Sequence, residues 1–229
     1  AELALGELAA LEALAGADHF LDVQLEDVAA LALGAGRARA ADGPLVDNEF
    51  YDELGSKWHD GDAHAIALLR AETPARLAYI RDALSAEGVR PGARILDVGC
   101  GGGFIANPLG ADGYRVKGLD RSPNSLAVAR AKTEPGADVR FEAGDAMRLN
   151  EPDGWYDAVL LMDLLEHLED PARAVAEAAR VLKPHGLVFF HTFNRTPESW
   201  LLAVKGIGLV TREGPRNVHS SSMFITPRE

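Results

Sequence analysis

Residues 94–103 read RILDVGCGGG, a short apolar run that closes on glycines. A run of this kind is a buried strand of a parallel sheet, and the glycines mark the turn out of it. Glycine at such a turn lets a ligand approach the backbone and the N-terminus of the following helix. A dinucleotide fingerprint needs Gly-x-Gly-x-x-Gly. Counted from Gly99 and Gly101, the last position is Phe104, so that pattern fails. Asp97 stands beside the turn, where a carboxylate repels a pyrophosphate and suits a cationic group.

Outward from this stretch the chain alternates strand and helix. RVKGLD (115–120), VRFEAGD (139–145), YDAVLLMD (156–163) and LVFFHTF (187–193) read as four more strands, with helices over 125–132 and 171–182 among the intervening segments. Such alternation builds right-handed βαβ units and a parallel sheet covered on both faces, an α/β fold of Rossmann-like type. Asp120 closes the second strand, 23 residues after Asp97, an offset at which an acid accepts hydrogen bonds from ribose hydroxyls. Asp145 closes the third, either to take an adenine amino group or to cap its own turn. S-adenosylmethionine, with an ammonium, a sulfonium and no phosphate, is the cofactor that suits this set.

Upstream the pattern differs. Residues 1–46 form an acidic, Ala- and Leu-rich appendage, read as two short helices and a loop, with Leu21, Leu25 and Val28 at helical spacing. Residues 1–62 hold 14 acids against 3 bases, whereas 63–229 hold 21 against 20, so the net charge of −12 belongs to this end. That acidity excludes a nucleic-acid binder working by phosphate neutralisation and reads first as a solvated helix surface. Residues 47–229 are the main domain. Within it, 47–60 place Phe50, Tyr51, Leu54 and Trp58 on one helical face, and 74–84 read as a helix with Pro74 in its first turn. With one Cys, no apolar run of about 18 residues and no basic start before an apolar core, the chain reads as cytoplasmic.

Met162-Asp163-Leu164-Leu165-Glu166-His167 ends the fourth strand. If the chain turns helical there, Asp163, Glu166 and His167 share a face. They can hold a divalent cation such as Mg²⁺, Glu166 and His167 can serve in acid–base chemistry, or both can simply brace the loop. After the fifth strand, Trp200 and the apolar residues up to Val210 stand where ligands bind in open α/β sheets. Lys205, Arg212 and Arg216 lie among the residues of 198–216, which suits peripheral contact with an anionic membrane and a lipophilic substrate. Cys100 is given no role, and His59, His64, His185, His191 and His219 are read as structural or surface residues.

These residues resemble class I S-adenosylmethionine-dependent methyltransferases. More narrowly, TPARLAYI (73–80), LDVGCGGGFIA (96–106), FNRTPESWLLAVKG (193–206) and MFITPRE (223–229) are similar to the ubiquinone-biosynthesis O-methyltransferases, which methylate polyprenylated catechols. The resemblance runs from about residue 48 to 229 and implies that Arg76, Gly99, Gly101, Asp120 and Met162 contact the cofactor. It also implies a divalent metal on the run that is Glu-x-x-Glu-His in the family and Asp163-x-x-Glu166-His167 here. The acceptor would be a phenolic small molecule, and the enzyme would sit in the cytoplasm, peripheral to the inner membrane. In the family the chain continues past the segment matching 223–229 into strands that complete the sheet, so the order 3-2-1-4-5 is expected with its last two positions empty. Two other readings remain: a small-molecule O- or N-methyltransferase of secondary metabolism, and a cofactor-binding regulatory subunit that docks a partner through the acidic end.

Overall fold

The computed structural model describes residues 21–23, 49–54, 57–60 and 64–192. The strands are β1 (Leu21–Val23), β2 (Arg94–Val98), β3 (Arg115–Asp120), β4 (Val139–Ala143), β5 (Tyr156–Met162) and β6 (Leu182–His191). The helices are α1 (Glu49–Glu53), α2 (Lys57–Asp60), α3 (His64–Ala86), α4 (Ala106–Ala111), α5 (Pro123–Ala131) and α6 (Pro171–Val181), with a single 3₁₀ turn at Leu165–His167. The sheet order is β1-β6-β5-β2-β3-β4, and β2 to β6 are mutually parallel. Read from β4 to β6, this is the 3-2-1-4-5 order expected from the sequence.

The central strands are covered on both sides, which is why they are apolar without alternation. Along β5, Ala158, Leu160 and Met162 face one core with Leu77, Ile80 and Leu84 of α3, Leu109 of α4 and Leu126 of α5. Val159 and Leu161 face the other, with Ala174, Ala178 and Val181 of α6. Capping starts two helices. Ser122 accepts the Ser125 N–H at 3.0 Å ahead of α5, Asp170 accepts the Arg173 N–H at 3.0 Å ahead of α6, and each has Pro at its first helical position.

Four local expectations are corrected. Leu21 lies in a strand, not a helix: residues 21–23 pair antiparallel with Val188–Phe190, so the position beside β6 is filled. An edge strand offers a row of backbone donors and acceptors, and three residues suffice to take some of them. Helix α3 starts at His64 and carries Pro74 in its interior. Pro74 has no N–H for the Arg70 carbonyl, a cost of about 3 kcal/mol, but buried Ile66, Leu77, Ile80 and Leu84 hold the helix on the core regardless. The expected single helix over 47–60 is instead two: α1 ends at Glu53 and α2 begins at Lys57, whose N–H donates to the Leu54 carbonyl at 2.8 Å. Finally, β6 begins at Leu182, ahead of the expected 187, with an irregularity between the Tyr156–Leu182 and Ala158–Leu187 pairs. Among the described residues no helix is long and apolar enough to cross a membrane.

Gly118, inside β3, is the tightest point beside the cofactor turn. A Cβ there would stand 2.5 Å from Phe141 Cδ1 and 2.9 Å from Cys100 Sγ. The Phe141 ring and the Cys100 thiol are both buried and have little room to yield. Gly118→Ala is therefore expected to lower stability by about 1–3 kcal/mol, read as a lower urea midpoint with unchanged slope.

Candidate active site

The turns that follow the parallel strands meet at the carboxyl edge of the sheet, the side on which open α/β sheets bind ligands. After β2 the chain passes through Gly99 at φ +76°, Gly101 at +48° and Gly103 at +81°, backbone that side chains resist. The Gly99 and Cys100 N–H groups donate to the Leu119 carbonyl at 2.7 and 3.0 Å, which ties the turn to β3. The strap of α1 and α2 lies over this turn. A Cβ on Gly101 would stand 2.7 Å from the Trp58 ring, and one on Gly99 2.9 Å from Leu164. Trp58 is fixed by its indole N–H, which donates to Ser125 Oγ at 2.9 Å. Asp52 accepts the Ser122 hydroxyl at 2.7 Å, and His59 Nε2 reaches the Gly102 carbonyl at 2.9 Å. Cys100 is buried, burial pushes its thiol well above the ordinary value, and it packs as a small core residue.

Two carboxyls border the turn. Asp97 is 2% exposed, and burial together with the Asp120 charge pushes it up to about 7. Asp120 accepts the Gly101 N–H at 2.9 Å and the Ser122 N–H at 2.8 Å, while burial raises it as well. Two crowded carboxyls beside a glycine turn are relieved by a positive ligand group, which fits the ammonium and sulfonium of S-adenosylmethionine. Asp145 holds its own turn: Oδ1 accepts the Met147 N–H at 3.0 Å. Asp120→Ala removes the acid expected to hold the ribose and unties the Gly101 amide. A loss of about 1–3 kcal/mol in cofactor affinity is expected, and titration calorimetry measures it.

On the other side of Met162 the structure gathers residues from three elements. Asp163 sits at φ +51°, its N–H donating to the His191 carbonyl at 2.9 Å. Its carboxylate takes Arg76 in a fork, Nη1 to Oδ2 at 2.5 Å and Nη2 to Oδ1 at 3.2 Å. His191 Nδ1 meets Oδ1 at 2.5 Å, and Arg76 Nη2 also donates to Glu72 at 2.5 Å. Burial alone would raise Asp163, but His191 and Arg76 hold it below the ordinary carboxylate value. Burial would lower His191, but the Asp163 carboxylate lifts it above its ordinary value. Glu166 is 1% exposed, and among the described residues neither of its oxygens has a hydrogen-bond partner. Burial and the Asp163 charge push it up to about 8; the nearby Thr192 hydroxyl, outside hydrogen-bond geometry, holds back part of the rise. His167 Nε2 lies 3.3 Å from the Tyr51 hydroxyl.

This arrangement does not suit a divalent ion on Asp163, Glu166 and His167. Asp163 faces a guanidinium, burial and the Asp163 charge push the Glu166 carboxyl toward its neutral form, and His167 turns to Tyr51. Among the described residues no group of three or more His, Cys, Asp or Glu side chains is placed to hold a metal. The sequence reading missed Glu72, the strap residues Tyr51 and Trp58 as site walls, and above all His191. The available signal was position: His191 ends a strand at the ligand edge, as Asp120 does at its own. The segment 194–216, with its expected membrane contact, lies outside the described residues.

A methyltransferase domain family matches residues 96–190. The ubiquinone biosynthesis O-methyltransferase of Bordetella bronchiseptica is 39% identical over 195 residues, 83% of this chain and 79% of that protein. The protein of the same name from Burkholderia pseudomallei is 38% identical over 182 residues, 78% and 76% of the two chains. A solved S-adenosylmethionine-dependent methyltransferase from Mesorhizobium loti aligns at 33% identity and TM-score 0.44, over 50% of this chain and 52% of that one. The curated relatives match beyond the shared sheet, over most of both chains. This chain is accordingly an S-adenosylmethionine-dependent methyltransferase and belongs to the ubiquinone biosynthesis O-methyltransferase family.

Proposed function

We propose that the chain methylates a phenolic oxygen of a polyprenylated quinone precursor, with Glu166 and His167 at the acceptor. The observation that carries this reading is the contact between His167 Nε2 and the Tyr51 hydroxyl at 3.3 Å. An imidazole already set against a phenol, in the turn that follows β5, suits a phenolic acceptor. Bound S-adenosylmethionine supplies an electrophilic methyl on a sulfonium. The chain seats it through Gly99, Gly101, Asp97, Asp120 and the end of β5 at Met162, with Asp145 toward the adenine. His167 takes the phenol proton, and the bound cofactor would supply the methyl group to the oxygen so exposed. Glu166, protonated below about pH 8, can donate to a second ring oxygen. Trp58 and Leu164 close over the turn and exclude water from it. Positioning the two reacting atoms then supplies most of the acceleration.

The residues of 198–216 support a lipophilic acceptor reached from the cytoplasmic side: Trp200, Leu201 and Leu202 stand in sequence near Lys205, Arg212 and Arg216. Each such cation near an anionic surface adds about 1 kcal/mol. On this reading 47–229 is the catalytic domain and 1–46 an acidic appendage to it. A panel of catechols with and without a polyprenyl tail, incubated with labelled cofactor and read by mass spectrometry, tests the proposal. Turnover of the tailed catechol is the expected result. Preference for a tail-free catechol would replace the quinone precursor with a small soluble phenol.

A further inference from the structure

The Asp-x-x-Glu-His run is built for a cation, and the structure already holds one there. Arg76 comes from α3, is 6% exposed, and reaches Asp163 with both terminal nitrogens. Glu72, one helical turn earlier, takes the same guanidinium at 2.5 Å. At 2.5 Å from a carboxylate oxygen, His191 Nδ1 must carry its proton toward Asp163, because two lone pairs cannot approach so closely. The 3.3 Å separation of Arg76 Nη2 from the same Nδ1 is then a juxtaposition of two donors. Asp163 Oδ1 accepts from His191 and Arg76, and Oδ2 accepts from Arg76. A divalent ion needs those same lone pairs at about 2.0–2.6 Å and would have to displace a buried positive charge.

We propose that Arg76 is the resident cation of the acceptor side, fixed by Glu72 and Asp163, and that this chain works without a divalent metal. The guanidinium supplies the positive field that the family assigns to an ion on this run. It is a positioning residue, holding Asp163 and, through it, His191. Its removal would leave two carboxylates and an imidazole around one vacated spot, a donor set that suits Mn²⁺. Arg76 is thus what keeps the metal out. Only the activity arm of the test rests on the phenolic reading; the binding arm does not.

The experiment uses the full chain, stripped by dialysis against a chelator and titrated with Mn²⁺ while free ion is followed by electron paramagnetic resonance. Catechol methylation is measured in parallel with and without chelator. The parent is expected to leave the free-ion signal undiminished and to methylate equally well in both conditions. Arg76→Gln is expected to bind Mn²⁺ at least about tenfold more tightly than the parent and to lose about 10²-fold in turnover. Arg76→Lys, which keeps the charge, is expected to exclude Mn²⁺ and retain part of the activity. One equivalent of Mn²⁺ bound by the parent and lost in Asp163→Asn would overturn the proposal, as would activity abolished by chelation and restored by metal. So would a folded Arg76→Gln that still excludes the ion. If Arg76→Gln does not fold, the parent measurements decide. If no catechol is methylated, the functional reading fails while the Mn²⁺ titration still judges this one.

Discussion

A His167→Ala variant is expected to lose about 10²- to 10⁴-fold in methyl transfer, the range for removal of a positioned acid–base group, and to bind S-adenosylmethionine as the parent does. The separation follows from where the imidazole stands. It belongs to the 3₁₀ turn after β5 and meets Tyr51 by a hydrogen bond at 3.3 Å and an edge-on ring contact at 5.2 Å. On the proposed reading the cofactor is held by other groups: the glycine turn, Asp97 and Asp120. Chemistry and cofactor binding should therefore part company, with turnover measured by labelled methyl transfer and affinity by calorimetry. Tyr51→Phe is the companion variant. It keeps the ring against His167 and removes the hydroxyl, so its loss should be far smaller. Full activity in His167→Ala would remove the imidazole from the mechanism. A matched fall in turnover and cofactor affinity would mean that the turn had moved and that His167 is structural.

The sheet was legible because its strands are buried on both faces. Apart from Arg94, Asp97 and Asp157, RILDV and YDAVLLM are apolar, and runs of that kind have few other uses between helical segments. What escaped were features decided by tertiary contact. Pro74 reads as a helix start, yet Leu77, Ile80 and Leu84 bury so completely that α3 continues through it. Leu21, Leu25 and Val28 fit a helical period, but residues 21–23 meet the open edge of β6 and become a strand. That the acids of β2 and β3 lie together with Gly101 was legible because turn chemistry is local. The Asp163–Glu166–His167 run was legible as a cluster of acids and an imidazole, but the contacts of Asp163 were not. Nothing in 162–167 shows that Arg76, 87 positions upstream, or His191, 28 downstream, will claim Asp163. Spacing identifies ligands that share one helix face; it cannot show that a distant guanidinium occupies the place first.

Asp97 should make the cofactor-free chain less stable as pH rises from about 4 to about 7, and Asp97→Asn should remove that dependence. Its carboxyl lies at the end of β2, paired in register with Gly118 on one side and Leu160 on the other. Burial comes first and the Asp120 charge second in pushing it up to about 7, with the Ala106 N–H holding back part of the rise. The unfolded chain returns it to about 3.9. Below that value both states carry the proton and the full stability is present. Between about 4 and 7 the unfolded state gives up its proton while the folded state keeps it, so stability falls with each unit of pH. Above about 7 both are ionised and the loss is complete, at most about 4 kcal/mol for a shift of about three units. Glu166, raised to about 8, acts in the same direction, whereas the lowered Asp163 and Asp157 act against it. The measurement is therefore the difference in urea midpoint between the parent and Asp97→Asn, which cancels the shared groups. It should widen in the variant's favour up to pH 7 and then level off. Saturating S-adenosylmethionine should reverse the trend, because a cationic ligand favours the carboxylate. Binding at pH 6 should then release a proton from the parent and none from Asp97→Asn, as calorimetry in two buffers of different ionisation heat would register. A midpoint difference that does not change with pH would mean that Asp97 is ionised throughout, held by the loop amides without help from the ligand.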